Sequence, residues 1–351
     1  AALVVWVTAT LAREAFGPAA AAGAAVALVL SSLFSRLLWF ARTDMLLTAT
    51  LVAALLAAWR VRRREGGAQP ADAREPDGGG ARRWRALFHG ATAAGLLTKG
   101  PIGLLFPLLI AFAWHRRERE RRELARALRP LAGSLVAIAV FLAWFAIAIV
   151  AEPGVWDSMV GSELLDRFRG PGSTKAHEVR PFWYYVPHLL ARFAPWSLLA
   201  LVGAFAWRRA ERTERALIEL AAVWIAGIVV VFSFVPAKRP ERLFPISPAV
   251  ALLAGWTLAQ FESGRLSTFL RRAGGAIVAL VHAGVIGIGV ALAIGRAVPR
   301  TPFSTAIAIA AIASGMAGIV AVRRQRAIIP LAAAGLAALA AYQWIWRAVA
   351  S

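Results

Sequence analysis

The sequence predicts an all-α protein, a polytopic bundle of transmembrane helices. Apolar residues make up 59% of the 351 residues before the 29 glycines are counted. A soluble domain contains about 45–50% apolar residues with glycine included. The apolar residues form long runs, and the 40 lysines and arginines lie mainly between them. This composition excludes a soluble enzyme and a disordered protein, and the absence of cysteine excludes a disulfide-rich secreted scaffold.

About twelve apolar runs are candidate spans, since about 20 apolar residues cross the hydrocarbon core. They comprise residues 1–12, 18–35, 45–59, 86–98, 101–114, 131–150, 182–207, 216–235, 245–261, 275–295, 303–322 and 327–346. We interpret Lys99-Gly100-Pro101 as a tight turn, because one merged span would place the arginine-rich segments 60–85 and 115–129 on opposite sides of the membrane. No positively charged flank precedes residues 1–12, so we expect further sequence upstream.

The formal net charge of +21 indicates membrane topology rather than nucleic-acid binding, because the basic residues lie in short segments between apolar runs. The three lysines, Lys99, Lys175 and Lys238, all fall on the predicted outer face. Residues 62–83 are predicted to be a disordered cytoplasmic linker, since they combine arginines with glycines and prolines. Residues 116–129, which alternate arginine with glutamate, suit a short solvated or headgroup-bound helix.

Four clusters of ionisable residues on the outer face are candidates for function, because charge that faces lipid is costly. Asp44, beside Arg42, precedes a span and is either an N-cap or a functional acid. Lys99 is either a snorkelling anchor or a phosphate ligand. The loop at 151–181 and the aromatic run after it suit either an interfacial belt or a substrate loop that contains Glu163, Arg167, Lys175, His177, Arg180, Tyr184 and Tyr185.

The fourth cluster places Lys238, Arg239 and Arg242 in a predicted outer loop. Elsewhere in the chain most of the basic residues lie in predicted inner loops, so this loop departs from that distribution. An anionic group on that side would compensate for it, and phosphate is the simplest candidate. No metal-binding or nucleotide-binding motif accompanies these clusters, so we expect neither a metal nor a cofactor besides an activated donor that arrives in the membrane.

In this order, the four clusters resemble those of the GT-C membrane glycosyltransferases of the protein-mannosyltransferase and lipid A aminoarabinose-transferase type. The segments that carry the resemblance are ARTDMLLT at 41–48, LTKGPIG at 97–103, RPFWYY at 180–185 with APW at 194–196, and FSFVPAKRPERL at 232–243. The resemblance covers the chain to about residue 260. It implies an inverting transfer of a sugar from a polyprenyl phosphate to a lipid A, protein or glycan acceptor, on the outer face of the bacterial inner membrane.

The resemblance also implies residue roles. Asp44 matches an acid near the reaction centre, and Lys99, Arg167 and Lys238 match cations that hold the lipid phosphate, with Arg239 and Arg242 beside them. Leu164 stands where the family has a histidine, although His177 lies in the same loop. Relatives carry an acidic motif in a first outer loop that has no counterpart here, so we expect residues 1–351 alone to bind donor lipid without transferring sugar.

We therefore predict a catalytic transmembrane region at 1–261, without the family's first span and first outer loop, and C-terminal transmembrane helices at 262–351. Two other classes of function stay open at this point. A transporter or flippase would bind an anionic lipid or solute through the same cations, and a noncatalytic assembly subunit would need no complete site. Charges that gather at one face favour surface chemistry over passage through the membrane.

Overall fold

A computed structural model describes residues 1–37, 42–65, 79–115, 118–152, 154–157, 180–235, 238–294 and 301–350. Within these ranges the regular structure is helical throughout, as predicted. The α-helices are α1 Ala2–Phe16, α2 Pro18–Val29, α3 Ser32–Leu37, α4 Thr43–Glu65, α5 Gly79–Lys99, α6 Pro101–Trp114, α7 Glu118–Leu128, α8 Pro130–Ala151, α9 Tyr185–Arg192, α10 Trp196–Ala206, α11 Arg212–Ser233, α12 Ser247–Glu262, α13 Thr268–Ala293, α14 Pro302–Arg323 and α15 Ile328–Ala350. Short 3₁₀ helices lie at Phe182–Tyr184, Trp207–Arg209 and Pro240–Ile246.

The multi-span helical class is confirmed, whereas the predicted number of about twelve spans is not. In the described ranges, 7 helices are long and apolar enough to cross a membrane, or up to 8 if the pair Phe182–Arg192 and Trp196–Arg209, bent by 102°, forms one span. Helices α2 and α6 account for part of the difference, since they contain 12 and 14 residues. At 1.5 Å per residue such helices reach only about 18–21 Å, which is short of the roughly 30 Å of hydrocarbon.

The turn predicted at Lys99-Gly100-Pro101 is present and folds α5 back onto α6. Gly100 has a φ of 68°, in the left-handed region that glycine adopts without strain. The two helices then pack so closely that a Cβ atom added at Gly103 would approach the backbone of Gly95 to under 3.0 Å. Lys99 therefore lies at the tip of a tight helical hairpin.

The amphipathic helix predicted within 116–129 is also present, as α7. Its Leu124 and Leu128 are buried in an apolar cluster with Val61 of α4 and with Trp84 and Phe88 of α5. Helices α4 and α5 extend into the predicted linker 62–83 from both sides, to Glu65 and from Gly79. The remaining linker residues lie outside the described ranges, where disorder stays a prediction.

Helix α8 is a span that the rest of the protein barely covers, since only 6% of its apolar stretch is buried. Ala137 is its buried residue. A Cβ atom at Gly133 would collide with the imidazole ring of His89 on α5, so α8 approaches its neighbour closely at this point. Most of the other side chains of this helix are exposed among the described residues and so are available to lipid.

The chain divides into two compact units. The first comprises Ala1–Val7, Arg36–Leu189 and Glu219–Ala249, and the second comprises Thr8–Ser35, Leu190–Ile218 and Val250–Ser351. In the second unit the carboxylate of Glu262 accepts the backbone N–H groups of Ala327 and Ile328 at 2.7 and 2.9 Å, which satisfies the N-terminus of α15. The boundary predicted at residue 261 between functional regions stays a prediction.

Candidate functional site

Asp44 and Lys99 form an ion pair at one end of the first unit. Asp44 lies in the first turn of α4, and Lys99 is the last residue of α5. The Lys99 ammonium donates a hydrogen bond to Oδ1 of Asp44. Each charge also has the sign that the end of its own helix favours. Two of the predicted site residues, 55 positions apart in the chain, are therefore brought together.

This pairing corrects two expectations about Asp44. The sequence suggested Arg42 as the neighbouring opposite charge, whereas the carboxylate contacts Lys99. It also allowed an N-cap role, but α4 begins at Thr43, so Asp44 lies inside the helix. The side chains of Lys99 and Asp44 are 27% and 12% exposed, which places the pair where a ligand can still reach the ammonium.

A second group of predicted residues gathers around Lys238 in the same unit. Lys238 is buried, with 8% of its surface exposed, and its ammonium donates to the backbone carbonyl of Arg180 at 3.2 Å. Burial lowers the pKa of Lys238 from its ordinary value of 10.5, and the positive charge of Arg242 lowers it further. Within the described ranges, no carboxylate lies within ion-pair distance of this ammonium.

Tyr185 joins the Lys238 segment to the start of α9. Its ring is fully buried, and its hydroxyl accepts the backbone N–H of Arg239 at 3.3 Å. The sequence predicts Tyr185 to lie in a substrate loop, whereas the structure buries its ring beneath this cationic segment, where it supports the segment. Tyr184 is half-buried, and its ring lies 5.9 Å from the Arg180 guanidinium.

Aromatic rings lie beneath the cations and connect them to the α5–α6 hairpin. The guanidinium of Arg242 lies 5.8 Å from the ring of Phe232. Phe106 of α6 packs edge-on against Phe232 at 5.3 Å between ring centroids, and Tyr185 lies 6.3 Å from the same ring. The contribution of Phe232 was not predicted, because apolar residues at the end of a span read as ordinary core.

The segment that carries Arg242 is itself held in place. The indole N–H of Trp224 donates to the carbonyl of Pro245 at 2.9 Å, and the 3₁₀ helix Pro240–Ile246 packs against α4. Helix α4 carries Asp44 at its first turn, so both groups of charged residues are built on the same packed elements. Such supporting contacts reduce the reorganisation that ligand binding requires.

The remaining predicted residues of the substrate loop lie outside the described ranges. They are Glu163, Arg167, Lys175 and His177, and their roles stay predictions. Among the described residues, no group of three or more histidine, aspartate or glutamate side chains is arranged to hold a metal ion.

Comparison with known proteins finds relatives among arabinosyl transferases. No family model matches the chain. It is 33% identical over 187 residues to undecaprenyl phosphate-alpha-4-amino-4-deoxy-L-arabinose arabinosyl transferase 1 of Pseudomonas fluorescens, covering 53% of this chain and 32% of the relative. It is 34% identical over 221 residues to such a transferase of Pseudomonas aeruginosa, covering 60% and 37%. The matched region thus spans about a third of the length of these curated relatives.

Two crystal structures of ArnT from Cupriavidus metallidurans, one bound to undecaprenyl phosphate and one in the apo state, also match. Their TM-scores are 0.67 and 0.66 at 23% and 22% identity, over 96% of this chain and 59% and 58% of theirs. The chain has the GT-C fold. The resemblance to the lipid A aminoarabinose transferases that its motifs indicated is confirmed by these relatives.

Proposed function

We propose that this protein is an inverting glycosyltransferase that moves a sugar from a polyprenyl phosphate to an acceptor at the outer face of the bacterial inner membrane. The named activity of its relatives and the undecaprenyl phosphate bound in one matching structure support this proposal. They also favour transfer over the transporter alternative. Lipid A, a protein or a glycan would provide the acceptor, and no cofactor besides the donor lipid enters the proposal.

The observation that carries the proposal is the buried residue Lys238, which is 8% exposed, beside Arg239 and Arg242. Burying an ammonium is costly unless an anion or several acceptors compensate for it. In the described ranges the ammonium has one backbone carbonyl as a partner, and a phosphate monoester would supply the missing negative charge. Lys99, at the tip of the hairpin, would be the second lysine on the donor, and charge-assisted hydrogen bonds of this type are the strong ones.

The reaction then needs little more than placement and charge. The acceptor oxygen would attack the anomeric carbon from the side opposite the phosphate, forming one carbon–oxygen bond while the bond to the phosphate oxygen breaks with inversion. The polyprenyl phosphate would leave with its electron pair and be stabilised by the fixed cations. The acceptor proton would pass to a carboxylate. Among the described residues Asp44 is the candidate for this role, beside the acidic motif that the resemblance implies in a first outer loop.

Donor binding tests the phosphate site. In binding measurements with purified protein and a radiolabelled polyprenyl-phosphate sugar, Lys99→Ala and Lys238→Ala should each weaken affinity by about 1.5–3 kcal/mol, or roughly 13-fold to 150-fold. Arg272→Ala, an exposed position on α13 in the second unit, removes the same charge and should leave the affinity unchanged. Unchanged affinity in both lysine variants would remove the proposed phosphate site.

Transfer is tested separately from binding. Full-length protein should convert the radiolabelled donor in a single turnover when lipid A, a protein hydroxyl or a glycan is offered in turn. Donor binding without transfer to any of these acceptors, combined with donor movement across a vesicle membrane, would instead establish the transporter alternative.

A further inference from the structure

The opposite end of the first unit carries a dense group of exposed arginines. Arg82 and Arg83 lie on α5, Arg122 and Arg126 lie on α7, and Arg129 links α7 to α8. All five are exposed. We call this group the arginine surface. Arg82 and Arg83 lie near the start of α5 and Lys99 is its last residue, a separation of about 25 Å along the helix, which makes the arginine surface distinct from the donor site.

Helix α7, which presents two of these arginines, is held firmly against α5. Arg85 donates through Nε to the carbonyl of Ala127 at 2.5 Å, and His89 bonds through Nε2 to the carbonyl of Leu128 at 2.6 Å. These bonds satisfy carbonyls at the C-terminal end of α7, where no backbone partner follows. The arginines are therefore displayed on a fixed scaffold rather than on a mobile loop.

Buried tryptophans lie directly behind the arginine surface. The guanidinium of Arg60 lies 4.2 Å from the Trp84 ring, and that of Arg62 lies 4.1 Å from the Trp114 ring. Both tryptophans are buried. Arginines gathered at the ends of spans are typical of the boundary between membrane and water, so this end of the unit lies at that boundary.

Helix α8 fixes the depth of that boundary. It begins at Pro130, directly after Arg129, and within its first turns Leu131 is 80% exposed and Leu135 is 65% exposed. Such leucines need hydrocarbon around them, so α7 lies within a few residues of the acyl chains. A membrane surface, rather than a soluble acidic partner, is therefore the surface that the arginines meet.

We propose that the arginine surface binds the headgroups of anionic phospholipids in the leaflet opposite the donor site. The arginines supply planar, bidentate donors for phosphate, and each basic residue near an anionic membrane contributes about 1 kcal/mol, or roughly fivefold in affinity. The binding holds α7 and the ends of α4 and α5 in register with the membrane. This inference does not require that the protein transfers sugar.

The test uses the whole chain in nanodiscs of phosphatidylcholine, alone or with phosphatidylglycerol at about a third of the lipid. Lipids retained after gentle detergent extraction are counted by native mass spectrometry. The wild type should retain phosphatidylglycerol in preference to phosphatidylcholine, and high salt should reduce the preference because it screens charge. The variant Arg82→Gln/Arg122→Gln/Arg126→Gln should lose the preference by roughly fivefold for each arginine.

Two further variants separate a defined surface from overall charge. Arg208→Gln/Arg209→Gln/Arg212→Gln removes three exposed arginines elsewhere and should keep most of the preference. Arg82→Lys/Arg122→Lys/Arg126→Lys retains the positive charge and should also keep most of it. Equal loss in the 208, 209 and 212 variant would overturn the proposal. Binding of soluble heparin in neutral nanodiscs without any preference for phosphatidylglycerol would also overturn it and would indicate a soluble polyanionic partner. Circular dichroism confirms that each variant is folded, and donor binding, measured in parallel, reports on the other end of the unit.

Discussion

Replacing Gly103 by alanine should force the α5–α6 hairpin apart. The added Cβ atom would meet the backbone of Gly95 at less than 3.0 Å. Backbone atoms cannot rotate away as a side chain can, so the helices must separate by about 1 Å. Insertion of a methyl group into such a contact costs about 1–3 kcal/mol. Because Lys99 precedes α6 by two residues, the same movement displaces its ammonium from Asp44.

The matched control is Gly90→Ala on α5, where an added Cβ atom has nothing within 4 Å. Alanine is a better helix former than glycine by up to about 1 kcal/mol, and comparing the two variants largely cancels this gain. Unfolding is followed by circular dichroism during titration of detergent-solubilised protein with dodecyl sulfate. Gly103→Ala should be less stable than Gly90→Ala by about 1–3 kcal/mol.

The same two variants should differ in function. A misplacement of about 1 Å costs about 10²-fold in a positioned reaction, so single-turnover transfer by the full-length protein should fall in Gly103→Ala and persist in Gly90→Ala. Equal stability and equal rates in the two variants would refute the close backbone approach and, with it, the view that the hairpin positions Lys99.

Three other outcomes are expected. A double-mutant cycle of Asp44→Asn and Lys99→Met should give a coupling free energy of about 0.5–3 kcal/mol in unfolding titrations. The double variant should lose less stability than the sum of the losses in the two single variants. Strict additivity of the two losses would argue against the ion pair. Because its pKa is lowered, Lys238 should lose its proton at a lower pH than an ordinary lysine, and donor affinity should fall with that proton. The variant Lys238→Arg should retain donor affinity at alkaline pH. Identical pH profiles of donor affinity in the two proteins would contradict this. Glu262→Ala should speed amide hydrogen exchange at Ala327 and Ile328 and destabilise α15 by about 0.5–2 kcal/mol. Glu262→Gln keeps a hydrogen-bond acceptor and should keep most of the protection from exchange. Unaltered exchange in both variants would exclude a role for Glu262 at the N-terminus of α15.

The fold class could be predicted because the composition and length of each apolar run indicate a membrane helix without reference to the rest of the chain. The turn at Lys99-Gly100-Pro101 could be predicted from the distribution of charge, since one merged span would have placed the arginine-rich segments 60–85 and 115–129 on opposite sides of the membrane. The number of spans could not be predicted equally well. Apolar composition does not reveal where a helix ends, and the runs at 18–35 and 101–114 form helices too short to cross a membrane alone.

The charged site residues were predictable as types, but their partners were not. Asp44 and Lys99 meet because α4 and α5 are antiparallel, and no local pattern encodes a pairing across 55 positions. Arg42 was the expected neighbour of Asp44 only because it is near in sequence. The burial of Tyr185 under the Lys238 segment likewise depends on tertiary packing of residues 54 positions apart, whereas an aromatic run before a helix reads from sequence as an interfacial belt.

The small buried fraction of α8 has a consequence for how its sequence can vary. A helix packed inside a protein must keep side chains of particular shapes at particular positions, but a helix surrounded by lipid needs only to remain apolar and helical. Gly133, against His89, and the buried Ala137 are positions where neighbours constrain α8. At most other positions leucine, isoleucine, valine and phenylalanine should be interchangeable. The order of residues along α8 is therefore free to drift while its composition stays fixed.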